Sequence, residues 1–236
     1  TNKSINSRLW STNIVSTRFI NTVYSLDYIS LLFNKKFKKK IFKCLYLHFL
    51  IIKNELNNNY KNVKIADIKA FFLGCCIYKK DLKNSLKVLD ILLDDQIDSL
   101  GFHKSYNALE QAKFINHLHE LKNIFLYFKI PESKKLTYQI HNMTSVMQNL
   151  FHQDKSLILF NGSRNTNLNE VEKVLNLSKD IIPKVIISNE KGIIFYRDKQ
   201  KNIFMDIVKP TNQSVNKAIH ASTLAFELSC KGEKII

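Results

Sequence analysis

The chain is poor in the residues from which many functional motifs are built. Its 236 residues include five glycines, three prolines, four cysteines and one tryptophan. No Gly-rich loop of the kind that cradles nucleotide phosphates is present, and no His-Glu-x-x-His pair for a catalytic zinc. Cys44, Cys75, Cys76 and Cys230 lack Cys-x-x-Cys spacing. Three of them fall on apolar helical periodicity, which fits buried free thiols better than a disulfide framework or a zinc site. No apolar run reaches the length of a membrane span, since the densest, IFKCLYLHFLII at 41–52, is interrupted by Lys43 and His48. There is no internal repeat and no low-complexity linker. The start TNKSINSRLW has neither an initiating Met nor a signal-peptide pattern, and EKII follows directly on strand-like sequence. Both ends are therefore expected to be cuts through a larger protein. No compartment is fixed: a signal ahead of Thr1 would mean periplasm or cell envelope, its absence the cytoplasm.

Acidic residues are also in short supply, 20 against 36 basic ones, for a formal net charge of +16. Such a surplus favours a polyanionic partner: nucleic acid, anionic lipid or acidic polysaccharide. A coding sequence poor in G and C, rich in Lys, Asn and Ile, accounts for much of the charge equally well. No nucleic-acid reader motif accompanies it. Hydrophobic content of 45% is ample for a packed core, and the length suits one large or two ordinary domains.

Two textures follow one another. From Trp10 to about Phe151 the periodicity is helical, with helices expected at 12–32, 36–56, 65–78, 82–96, 108–128 and 133–150. In 111–128, Phe114, Leu118, Leu121, Phe125 and Phe128 fall at three- and four-residue steps. After His152 short β-branched and aromatic runs appear at 156–163, 184–190, 192–198, 202–208 and 223–230, with NEKG at 189–192 a hairpin turn. Helices first and antiparallel strands after argue a helical domain over 1–152 followed by part of a β-sandwich over 153–236.

Three polar constellations stand out. QIDSLGFHKSYN (96–107) sets His103, Tyr106 and Asn107 within five residues. An imidazole binds anions or moves protons, a phenol serves as acid or base, and an amide holds a carboxylate. Ser105 or Asn107 is equally a plausible N-cap for the helix that follows. HQDKSLILFNGS (152–163) flanks an apolar stretch with His152 and Asn161, and its NGS also fits a glycosylation sequon. HASTLAFELS (220–229) places His220 just before a strand. His117 and His119, two apart on a helix, point to different sides and do not make a metal pair.

In this order and spacing, the three motifs resemble the heparinase II/III-like polysaccharide lyases, particularly the bacterial branch. That branch reads like Q-I-x-x-D-G-G-H-x-S-R-N-P, then H-G-D-G-x-L-x-L-F-N-G, then H-A-x-x-L-S-F-E-L. MDIVKP (205–210) is similar to the family's V-D-A-G-P. The resemblance implies helical hairpins of an incomplete α/α toroid joined to the start of an antiparallel β-sandwich. It implies β-elimination of an acidic, uronate-containing polysaccharide, or a non-catalytic polyanion- or glycan-binding module that has lost this chemistry. No nucleotide cofactor is implied, and a structural divalent metal is neither required nor assigned ligands. Oligomeric state is left open.

By resemblance, His103, Tyr106, Asn107 and His220 are the candidate catalytic residues, and His152, Asn161 and Asn62 the candidate substrate contacts. The chain departs from the pattern at Leu100, Phe102, Tyr106 and Ala108, which stand where the branch has Asp, Gly, Arg and Pro. HGDG has become HQDK. Characterised lyases of this broad family carry a catalytic Tyr a few residues into the next helix. That position falls near Glu110 here, and Tyr106 lies one helical turn earlier.

Overall fold

The computed structural model describes residues 7–58, 63–164, 168–177, 192–208 and 223–236. Helices α1 (Thr12–Tyr24), α2 (Leu26–Leu32), α3 (Lys35–Asn58), α4 (Ile65–Tyr78), α5 (Leu82–Gln96), α6 (Ala108–Tyr127), α7 (Lys134–Met147) and α8 (Leu168–Leu177) precede strands β1 (Ile193–Arg197), β2 (Lys201–Asp206), β3 (Phe226–Cys230) and β4 (Glu233–Lys234). The chain divides into two compact units, 1–92 and 93–236, with the boundary inside α5.

In the first unit α1, α3 and α4 pack on one another. Leu45, Phe49, Ile52 and Leu56 recur at three- and four-residue steps on α3 and are buried, as are Val15, Phe19 and Ile20 on α1. The opposite side of α3 keeps Lys35, Lys36, Lys39, Lys40 and Lys43 in solvent. α4 is apolar nearly all round and buried on nearly every side. Its Gly74 has a specific reason: a Cβ there would run into the Phe49 ring. α3 and α4 thus approach more closely than any side chain allows. The carboxylate of Asp67 accepts the Lys64 backbone N–H at 3.1 Å and closes the start of α4.

In the second unit α6 packs against α7 and α8. It buries Phe114, Leu118, Leu121 and Phe125, while Phe128 is half-buried just past its end. Ser133 caps α7, its Oγ accepting the Leu136 N–H at 3.4 Å. The four strands form one antiparallel sheet in the order β1-β2-β3-β4. Register pairs Ile193 with Asp206, Phe204 with Glu227 and Ser229 with Lys234. Alternation along β2 buries Asn202, Phe204 and Asp206, and along β3 Glu227 and Ser229. The buried face of this sheet is unusually polar.

Several expectations are corrected. The helix expected at 12–32 breaks at Ser25, which ends α1 and begins α2. Residues 156–163 do not form a strand. Asn161 (φ 54°) and Gly162 (φ 79°) are both left-handed, so the run ends in a 3-10 turn, and only a Phe151–Leu157 bridge remains. α7 stops at Met147, and α8 is a helix within a region read as β. The strand expected at 223–230 starts only at Phe226. Cys44 is exposed, although Cys75 and Cys76 are buried and all four cysteines are free. The run 184–190 and most of NEKG lie outside the described residues. No helix among the described residues is long and apolar enough to cross a membrane.

Candidate functional site

The loop between α5 and α6 is built around Asp98. Its Oδ1 accepts the backbone N–H groups of Leu100 (2.9 Å), Gly101 (2.9 Å) and Phe102 (2.8 Å), which folds the chain back on itself. Gly101 has φ +98°, and a Cβ on it would meet the Asn142 side chain at 2.8 Å, so no other residue fits this turn. Gln111 of α6 fastens the loop. Its Nε2 donates to the carbonyls of Gly101 (2.9 Å) and Met143 (3.0 Å), and its Oε1 accepts the His103 N–H at 2.5 Å. Neither Asp98 nor Gln111 was singled out by the sequence. The run Asp-Ser-Leu-Gly at 98–101 is a turn signal that could have found the first, but an interior helical Gln carries no such mark.

The loop then presents its polar cluster. His103 is half-buried, its ring beside Phe114 with centroids 5.2 Å apart. Nδ1 lies 2.7 Å from the Ser105 Oγ and accepts the Ser105 N–H at 3.2 Å. Burial pushes the imidazole down to about 4, with the Glu110 carboxylate pulling weakly the other way, so the ring is neutral near pH 7.

Tyr106 holds a left-handed backbone, φ +50°, which a bulky residue adopts only under constraint. Its hydroxyl donates to the Asp98 Oδ2 at 2.9 Å. Burial, then the Asp98 charge and hydrogen bond, then Asp206, all raise this phenol above its ordinary value. It keeps its proton at neutral pH and is able to give one, not to take one. Asn107 caps α6, its Oδ1 accepting the Glu110 N–H at 2.9 Å, as the sequence allowed. Its Nδ2 donates to the Asn161 carbonyl at 3.0 Å.

Asn161 answers in kind. Its Nδ2 donates to the Asp206 Oδ2 (3.1 Å) and the Tyr106 carbonyl (3.4 Å), while the Asp206 Oδ1 accepts the Val208 N–H at 2.9 Å. Being buried, Asn161 is out of reach as a glycosylation acceptor. The first and second motifs and the Asp of MDIVKP thus close into one hydrogen-bonded joint. The third motif reaches the second through Glu227. His152 Nε2 lies 2.8 Å from Glu227 Oε2, which Lys234 Nζ also approaches at 2.6 Å, and Oε1 accepts the Leu159 N–H at 2.6 Å. Burial works to raise the Glu227 pKa, but these three donors outweigh it and hold the group below the usual carboxylate range.

The His152 side chain has no exposed surface and packs edge-on against Phe204, centroids 4.8 Å apart. His103 and Tyr106 therefore keep partial access, whereas Asn107, Asn161 and His152 lie within the framework beneath them. Asp206 and Glu227, two framework carboxylates, were not picked out from the sequence. His220 and Asn62 lie outside the described residues. Among the described residues no group of three or more His, Cys, Asp or Glu is placed to hold a metal ion.

Comparison with known proteins gives a fold. No protein-family model matches the sequence, and no curated protein does either. The structure is similar to that of heparinase III, with TM-score 0.73 and 14% identity, over 99% of this chain and 43% of that one. It is also similar to heparan sulfate lyase HepC from Pedobacter heparinus, with TM-score 0.67 and 13% identity, over 96% and 40% of the two chains. A mutant of HepC matches with TM-score 0.69. The chain thus spans about two fifths of the length of the structures it matches. The fold class is that of an α/α toroid of helical hairpins followed by antiparallel β-sandwich strands.

Proposed function

We propose that the chain acts as a polysaccharide lyase of the heparinase II/III-like kind, nearest its bacterial branch, on uronate-containing glycans. In this reading 1–152 contribute the toroid and 153–236 the sandwich. The observation that carries it is the meeting of motifs: Asn107, Asn161 and Asp206, from three separated stretches, close one joint in a fold shared with heparan sulfate lyases. Fold likeness alone would not argue chemistry.

β-Elimination needs the uronate carboxylate neutralised, a base for the proton on the adjacent carbon, and an acid for the departing glycosidic oxygen. As that proton leaves, its electron pair forms the ring double bond and the carbon–oxygen glycosidic bond breaks. We assign the carboxylate to His103 and Asn107 with Asn62, the acid to Tyr106, which is protonated at neutral pH, and the base to His220. Asn161 and His152, read as substrate contacts, are buried and instead position Tyr106 and the strand that carries Glu227.

The alternative, a glycan-binding module without turnover, is favoured by one observation: the Tyr106 hydroxyl is already committed to Asp98. Incubation with heparan sulfate, alginate and related uronates, followed by absorbance of the unsaturated product near the ultraviolet edge, separates the two. Product from any uronate establishes the lyase, and salt-sensitive binding with no product establishes the binding module.

A further inference from the structure

The geometry of residues 103–107 fixes more than position. A backbone N–H can only donate, so the Ser105 N–H at 3.2 Å from His103 Nδ1 requires a bare, accepting Nδ1. Ser105 Oγ accepts the Asn107 N–H at 3.3 Å, which leaves its own hydrogen to point at the same Nδ1, 2.7 Å away. Two donors thus converge on one ring nitrogen. With Nδ1 bare, the single proton of the neutral ring sits on Nε2, which makes no hydrogen bond to any described residue. Ser105 is buried, so water does not compete for the arrangement. The spacing His-x-Ser-x-Asn therefore contains a tautomer lock within five residues, closed at its far end by the cap that starts α6.

We propose that His103 serves the site as a fixed, neutral hydrogen-bond donor: Ser105 holds the proton on Nε2, and that N–H grips an anionic oxygen of the ligand instead of acting as a base. The identity of that oxygen, a uronate carboxylate, rests on the lyase reading. Of the charged groups near the ring, Glu110 favours the charged form, and only weakly against the burial. Glu110 on α6 is engaged by Lys113 at 2.7 Å, Phe114 beside the ring is apolar, and Lys104 turns its Nζ to the Asp94 carbonyl at 3.0 Å. A donor of this kind needs no proton from solvent, so its grip does not fade as pH rises through the usual imidazole range.

Imidazole nitrogen–proton correlation spectra of the 236-residue chain test this, with heparan sulfate oligosaccharide as the added probe. Expected are a protonated Nε2 and bare Nδ1 near neutral pH, a titration midpoint of about 4 instead of 6.5, and a shift of the Nε2–H signal on adding the probe. Ser105→Ala removes the hydroxyl donor and keeps the backbone N–H, so the proton should stay on Nε2 while the midpoint moves upward. His103→Gln, which keeps a side-chain N–H, should retain affinity within about threefold, while His103→Phe loses about tenfold. A protonated Nδ1 in the unaltered chain, a midpoint near 6.5, or an Nε2–H signal unmoved by the probe overturns the inference. A shifted signal without unsaturated product keeps it and removes the lyase reading, whereas product formed with an unmoved signal does the reverse.

Discussion

Glu227 is a carboxylate on the buried face of a sheet, and it stays charged there because His152, Lys234 and the Leu159 N–H all donate to it. Removing it strands several groups at once, so Glu227→Ala should cost about 3–5 kcal/mol in chemical denaturation, the range for breaking a buried charge pair. Its folded pKa is depressed, so its contribution is fully present above the ordinary value of 4.5 and is lost as pH falls below that. His103 adds to the acid sensitivity: unfolded imidazole takes a proton below 6.5, while the folded ring resists until about 4, so stability falls across that window. An acid titration of the unfolding midpoint should therefore slope downward from about pH 6.5, and Ser105→Ala, by raising the folded midpoint, should shorten that window from its acid end. If Tyr106 is the acid, Tyr106→Phe should lower kcat at least a hundredfold with little change in unfolding free energy, since Asp98 keeps its three backbone donors. His103, Tyr106 and Asn107 were legible in the sequence as a polar cluster, and Asn107 as a cap. What each side chain is committed to was not, because Gln111, Asp206 and Glu227 act through long-range contacts that leave no local pattern.

Elements with strong periodicity were read well. α4 and α5 occupy 65–78 and 82–96, where apolar spacing and polar breaks put them. The run 156–163 shows the limit: its composition suits a strand, yet two successive left-handed residues decide against it. Those residues turn Asn161 back toward Tyr106 and Asp206, so the element was misread where the framework is made. Two glycines set how elements meet. Gly101→Ala combines a positive φ with a clash at Asn142 and should destabilise by about 2 kcal/mol or more, read by thermal or urea unfolding. The same change at Gly74 forces α3 and α4 apart at Phe49 and should cost about 1–3 kcal/mol, without moving the His103 signals if its effect stays local.

At the scale of the whole chain the charge of +16 makes a separate expectation. Affinity for heparan sulfate should fall steeply as ionic strength rises from about 0.05 M to 0.5 M, where screening shortens to a few ångströms, and neutral glucans should not bind at either salt. Fold class was legible because a helical period gives way to a strand period along the chain. How distant stretches meet was not legible: the resemblance grouped the motifs, but the joint of Asn107, Asn161 and Asp206 emerges only from the structure. The His152–Glu227 pair also bears on the order of assembly, since its members stand 75 residues apart. At ribosomal speeds of roughly 5–20 residues per second, His152 emerges about 4–15 s before the carboxylate that will receive it. For that interval the turn from 152 to 162 lacks Glu227, and for its earlier part Asp206 as well, so this turn of the nascent chain is open to chaperone capture or cleavage until the later strands arrive.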